Sequence, residues 1–269
     1  MKKYCLLILL FIPLSTLIRA QDLSLFKKEW IIQNGDTLPY RILLPDAYDS
    51  SRSYPLVLFL HGRGESGSDN EKQLIHGAKL FVTDSFRKKY PAIVVFPQCP
   101  ANNYWSNVQA VTEGSKNGKR VFYFIPGGEP TRALRGVMGL MENLQARFRI
   151  NQQQVYVMGL SMGGMGTFEL VRRMPGTFSA AIPICGGANP ATASKLTGTS
   201  WWVFHGGKDD VVLPVNSIQI VNALRKLKAK VKFTLFPEAN HNSWDPAFAE
   251  PELMKWLFSQ RKITGSSNK

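Results

Sequence analysis

The chain has 269 residues, 44% hydrophobic and 19% charged, which is enough apolar content for one large core and too much for an intrinsically disordered chain. Its formal charge of +14 comes from scattered lysines and arginines, bunched only in "SKNGKR" and "LRKLKAKVK". Neither cluster is interleaved with aromatics, so a nucleic-acid platform is excluded; the charge suits the solubility of an exported protein first, and an anionic polymer, an acidic polysaccharide or a membrane face as alternatives. Three cysteines without a CxxC pair and four histidines without metal spacing exclude a disulfide framework and a structural zinc site.

The first residues, "MKKYCLLILLFIPLSTLIRAQ", have a basic start at Lys2 and Lys3 and an apolar centre from Leu6 to Leu17. Ile18, Arg19 and Ala20 follow. This is the layout of a secretory signal peptide, cleaved after Ala20, and it predicts a periplasmic or extracellular protein. The apolar run is short for a bilayer span and is interrupted by Pro13 and Ser15, so no stable membrane insertion is expected after cleavage. Removing residues 1–20 leaves a charge of +11 and two cysteines, Cys99 and Cys185.

From Trp30 onward strand-like and helix-like pieces alternate. "EWIIQNGDTLPYRILLP" reads as an antiparallel hairpin with a Gly-Asp turn between its strands. "YPLVLFLHG", "AIVVFPQC", "QVYVMG", "SAAIPICGG", "SWWVFHGG" and "VKFTLFPEA" are short apolar runs of the kind that form buried parallel strands. In "TRALRGVMGLMENLQARF" the residues Leu134, Val137, Met138, Met141, Leu144 and Phe148 recur at helical spacing. "VNSIQIVNALRKLKA" and "PELMKWLFSQRK" behave likewise. The alternation predicts a single α/β domain over residues 21–262: a mostly parallel central sheet with helices on both faces and an N-terminal antiparallel hairpin. Residues 263–269 read as a disordered tail. The stretch from Pro100 to Pro130 reads as an irregular segment, too long for a simple connection and therefore functional or mobile.

One turn stands out. In "VYVMGLSMGGMG" an apolar run ends in Gly159-Leu160-Ser161-Met162-Gly163, a G-x-S-x-G frame between a strand and a helix. A strand that turns sharply into a helix holds the serine in a strained conformation with its hydroxyl exposed. The flanking glycines prevent backbone clashes, and the helix N-terminus offers N–H groups to a developing oxyanion. A serine hydroxyl needs a base, and the base needs an acid to orient it. "WWVFHGGKDDVV" supplies Asp209 and Asp210 just past one strand, and "FTLFPEANHNSW" supplies His241 just past the next. Glu238, three residues before the histidine, is poorly placed to reach its ring. The second oxyanion donor beside the Met162 N–H is the Arg63 N–H in His61-Gly62-Arg63-Gly64, which ends another strand. His61 and His205 read as structural strand-end histidines, and His76 as a helix residue without chemistry.

With these pieces in place, residues from about Leu38 to Phe258 resemble an α/β-hydrolase, and within that superfamily the exported group of "predicted peptidases" and phospholipase/carboxylesterase-like enzymes related to dienelactone hydrolases. The resemblance rests on "YRILLPDAYDSSRSYPLVLFLHGRGESGSDN", "INQQQVYVMGLSMGGMGTFELVRRMPGTFSAAIPICGG", "HGGKDDVV" and "ANHNSW". It implies the catalytic set Ser161, Asp209 and His241, because the family's acid lies four residues after the histidine of an HGxxD signature. It also implies no metal and no cofactor. If the family's strand order holds, the strands ending at Cys99 and Cys185 are separated by those carrying His61 and Ser161, and at about 4.8 Å per strand the thiols remain free.

For the substrate, Tyr104, Trp105 and Trp244 are candidates to stack on a sugar or an aromatic acid. Export and a compact domain favour a small-molecule or polysaccharide-linked ester, with acetyl or feruloyl groups on carbohydrate foremost. A serine peptidase of the prolyl-oligopeptidase type and a non-catalytic binding protein on the same fold are the alternatives.

Overall fold

The computed structural model describes residues 22–33, 35–113 and 119–262. The signal peptide read at 1–20 and the tail read at 263–269 lie outside the described residues.

Strands run in chain order β1 (Lys27–Gln33), β2 (Asp36–Leu43), β3 (Tyr54–Leu60), β4 (Ile93–Pro97), β5 (Val108–Glu113), β6 (Lys119–Phe124), β7 (Ile150–Leu160), β8 (Ala180–Ile184), β9 (Ser200–Gly206) and β10 (Val231–Phe236). The helices are α1 (Ala78–Phe81), α2 (Asp84–Lys89), α3 (Arg132–Arg147), α4 (Met162–Arg173), α5 (Val215–Lys226), α6 (Trp244–Phe248) and α7 (Leu253–Ser259). Eight strands form one sheet in the order β1-β2-β4-β3-β7-β8-β9-β10. β1 pairs antiparallel with β2, and β2 antiparallel with β4. From β4 to β10 every pairing is parallel. The β1–β2 turn carries Gly35 at φ 80°, the left-handed geometry that a two-residue hairpin requires.

The period of two along each strand sorts side chains into two cores, one on each face. Leu56, Leu58 and Leu60 of β3 join Trp201 and Val203 of β9 beneath α3, α4 and α5. Val57 and Phe59 join Trp202 and Phe204 on the other face, where α1, α2, α6 and α7 pack. Every residue of β9 is buried, which explains why its sequence reads as one continuous apolar run. Each such large side chain contributes about 1.5–3 kcal/mol through burial. Helix α3 starts where the Thr131 hydroxyl accepts the Leu134 N–H at 3.1 Å, an N-cap bond, and α2 is capped the same way by Thr83.

The stretch from Pro100 to Pro130 is not irregular. β5 and β6 pair antiparallel from Val108↔Phe124 to Glu113↔Lys119 as a separate two-stranded sheet. A lone hairpin is marginal by itself. This one is docked: Phe122 packs with Met165 of α4 and with Val212, joined by Val108 and Phe124. At its base, Asn107 Nδ2 donates to the carbonyls of Gly127 and Glu129 (3.1 and 2.8 Å), and the Ile125 N–H donates to the Asn107 carbonyl. Helix α4 ties down the return: Arg172 donates to the Pro126 carbonyl and Arg173 to that of Gly128, while both guanidiniums pair with the buried Glu169 carboxylate.

Candidate active site

The parallel strands end at one edge of the sheet, and the singled-out residues lie there. Ser161 sits between β7 and α4 at φ 54°, ψ −117°, a strained conformation for a residue with a side chain. Neighbouring glycines make the turn possible. A Cβ on Gly163 would stand 1.9 Å from the Leu60 carbonyl oxygen, and one on Gly159 would stand 2.3 Å from that of Gly163. Helix α4 therefore starts in direct backbone contact with the end of β3.

Ser161 Oγ lies 2.9 Å from His241 Nε2. His241 Nδ1 lies 3.0 and 2.9 Å from the two oxygens of Asp209. Because the carboxylate only accepts, Nδ1 carries the ring hydrogen and Nε2 turns its lone pair to the serine. Burial alone would raise the Asp209 carboxyl, but hydrogen bonds from His205, His241 and the Val212 N–H outweigh it and hold the group well below the usual carboxylate range. Asp210 is exposed, and Glu238 pairs with Lys208 at the surface.

His205 does more than end a strand. It is fully buried, and its Nε2 faces two acceptors, the Val212 carbonyl at 2.8 Å and Asp209 Oδ2 at 3.2 Å, so that nitrogen carries a hydrogen. Its Nδ1 is 2.7 Å from Ser217 Oγ, which is 2.9 Å from the Gly186 carbonyl. Asp209 is thus gripped by two histidines from two strand ends. Cys185 lies alongside: its sulfur, an Asp209 oxygen and a His241 nitrogen fall within 4.8 Å of one another. Burial pushes that thiol up, which keeps it an S–H and a poor metal ligand. Cys99 and Cys185 are both free and buried.

Arg63 and Met162 each open a helix, a 3₁₀ turn over Arg63–Glu65 and α4, so neither N–H has a partner within its own helix. Both residues line the same cavity as Ser161 and His241, of about 250 Å³. His61 fixes the first of these loops from below. Its Nδ1–H donates to the Gly62 carbonyl at 2.6 Å, its Nε2 accepts the Cys99 N–H at 2.9 Å, and burial lowers its pKa to about 4, so the ring stays neutral. The Arg63 guanidinium latches the loop from above by donating to the carbonyls of Ala101 and Asn103 and covering the Tyr104 ring at 4.9 Å.

The three aromatic candidates part company. Tyr104 and Trp244 line the cavity, and Trp244 meets the His241 ring edge-on at 5.6 Å. Trp105 does not: it is fully buried, donates its indole N–H to the His61 carbonyl at 3.1 Å, and covers Gly166, whose missing Cβ would stand 2.4 Å from that of Trp105. It is a core residue rather than a substrate platform. His76 is also corrected. It precedes α1 and lines the cavity, 3.7 Å from the Glu65 carboxyl. The sequence reading also passed over Glu65, Arg120, Phe122, Met165, Val211 and Val212, which complete the lining. For Glu65 a signal existed, as the first acid of a glycine-rich loop, four residues after His61.

A mainly parallel sheet with this strand order, helices on both faces and a serine on the tight turn after β7 define an α/β-hydrolase. Residues 34–254 match the family model described as Esterase, so the chain belongs to the Esterase family. It is similar to Probable feruloyl esterase C of Aspergillus terreus, with 24% identity over 197 residues that cover 71% of this chain and 62% of that protein. Among solved structures it is similar to a thermostable esterase, with TM-score 0.78 and 32% identity over 89% of this chain and 64% of the other. It also shares its fold with the feruloyl esterase module from Clostridium thermocellum complexed with sinapinate, with TM-score 0.63 and 15% identity over 88% of this chain and 89% of that one. The chain therefore spans less than two thirds of the feruloyl esterase C and of the thermostable esterase.

Proposed function

We propose that this protein is an exported serine hydrolase that cleaves carboxylic esters of carbohydrates, acetyl or feruloyl, through an acyl-enzyme. The observation that carries the reading is the unbroken chain from Ser161 Oγ through His241 to Asp209, with both links at hydrogen-bond distance and the histidine in the tautomer a general base needs. Ser161 Oγ attacks the ester carbonyl carbon while its proton passes to His241 Nε2. The oxyanion forms against the Arg63 and Met162 N–H groups. Collapse breaks the C–O bond, and His241 returns the proton to the departing alcohol. Water then repeats the cycle on the acyl-enzyme, releasing the acid and Ser161.

Export rests on the sequence of residues 1–20. Ester cleavage is supported by membership of the Esterase family, and a feruloyl substrate by the feruloyl esterases among the relatives. The test is hydrolysis of p-nitrophenyl acetate, methyl ferulate and a peptide p-nitroanilide by the wild type and by Ser161→Ala. Ester turnover that falls by roughly 10⁶-fold in the variant is the expected result. Turnover confined to the anilide would instead establish a peptidase, and no reaction with a serine-directed fluorophosphonate would establish a binding protein.

A further inference from the structure

Glu65 ends the 3₁₀ turn that begins at Arg63, and only 7% of it is exposed. A carboxyl so enclosed is normally satisfied by hydrogen bonds. Here Oε2 is sealed from solvent without a partner, and Oε1 faces His76 Nε2 at 3.7 Å, beyond hydrogen-bond range. The two atoms are close enough for one oxygen beside them to reach both. A hydroxyl placed about 2.8 Å from both would accept the imidazole N–H and donate its own hydrogen to the carboxyl. Burial pushes the Glu65 carboxyl up, against the opposing pull of His76 and of the backbone N–H groups of Gly62 and Glu65.

The pair is next to the chemistry. A methyl group built on Gly62 would lie 3.1 Å from Glu65 Oε2 and 3.6 Å from Ser161 Cβ, so carboxyl and nucleophile flank the same glycine. The His76 ring is 5.2 Å from that of Trp244, whose other neighbour is the His241 ring. Glu65 is the only acid among the described residues lining the cavity, which also holds Arg63 and Arg120. An anionic group would meet Glu65 and a cationic one would meet the arginines, whereas a neutral hydroxyl suits both.

We infer that Glu65 and His76 form a subsite that binds a hydroxyl group of the ester substrate. The inference rests on the esterase reading of the pocket and names the residues that would recognise the hydroxyl its proposed substrates carry. Two sources share this chemistry, a phenol on the acyl group or a ring hydroxyl on the alcohol. An ester lacking the hydroxyl leaves the buried Glu65 carboxyl and the half-buried His76 ring without that partner, and the penalty is the origin of the selectivity.

Two matched pairs separate the sources: methyl 4-hydroxycinnamate against methyl cinnamate, and trans-2-hydroxycyclohexyl acetate against cyclohexyl acetate. The wild type prefers the hydroxylated member of one pair by about 10- to 100-fold in kcat/KM. In Glu65→Leu and in His76→Phe the preference shrinks below about 3-fold, the loss falling on the hydroxylated ester, while Glu65→Gln keeps part of it. If Glu65→Leu fails to fold, His76→Phe reads the same ratio from a half-buried position. Equal rates within both wild-type pairs, or a preference undiminished in His76→Phe, would overturn the subsite. Failure of the esterase reading looks different, because none of the four esters would then be cleaved, and the subsite would fall with it.

Discussion

The two sides of the pocket are built by different means. Ser161, Asp209 and His241 stand on strand ends of one continuous sheet, with backbone packed against backbone at Gly159 and Gly163. Phe122 and Arg120 stand on β6, part of a two-stranded sheet held by a small apolar contact and a few side-chain bonds to backbone. The first construction fixes atoms to the tolerance that proton transfer demands. The second fixes only a surface, and a surface can be altered without disturbing the first. On this view, chemistry belongs to the sheet edge and part of the selectivity to what is laid over it.

The comparison can be broken at several points. The sharpest after the nucleophile is Asp209→Asn, which should lower kcat by about 10⁴-fold by losing the histidine tautomer, whereas Asp210→Asn should leave rates within about 2-fold. If the two variants behave alike, the assignment of the acid fails. The carboxylate also carries a pH signature. Its folded pKa is depressed, so the stability it contributes is complete above the ordinary value of 3.8 and is lost as pH falls through the depressed value. The gap in Tm between wild type and Asp209→Asn should therefore be flat at neutral pH and close only below pH 3.8. Gly163→Ala tests backbone contact itself. A methyl group meeting the Leu60 carbonyl should cost about 1–3 kcal/mol and lower Tm by roughly 2–12 °C in a thermal melt. On the hairpin the effect should be smaller and of another kind. Phe122→Ala should raise KM about 10-fold on a feruloyl ester with kcat within about 3-fold, the pattern of lost uniform binding. A kcat loss as large as the KM change would mean that the hairpin also positions the reacting atoms.

What the sequence disclosed follows the same division. The strands were legible because burial on both faces writes apolar runs, and the Ser161 turn because Gly159, Ser161 and Gly163 combine a spacing with a strand before and a helix after. The order of Asp209 and His241 followed from each lying just past a strand. Trp105 misled because an aromatic in a loop has no mark of which way it faces. Its burial depends on the absence of a side chain at Gly166, 61 positions away. The β5–β6 hairpin was missed for a related reason, since its order depends on docking to Met165 and Val212 rather than on strong local alternation. His76 was misread because its partner, Glu65, lies on a different loop.

The hairpin's base has a further consequence. The side chain of Asn107 closes it against Gly127 and Glu129, and α4 grips the return at Pro126 and Gly128. Strands β5 and β6, between these clamps, leave and re-enter the body at one spot. The segment is therefore a natural unit of exchange: a hairpin of different length or composition could be spliced between Asn107 and Pro126 while the sheet stays untouched. New substrate preferences could then arise by replacing one cassette, with no need to rebuild the site that does the cutting.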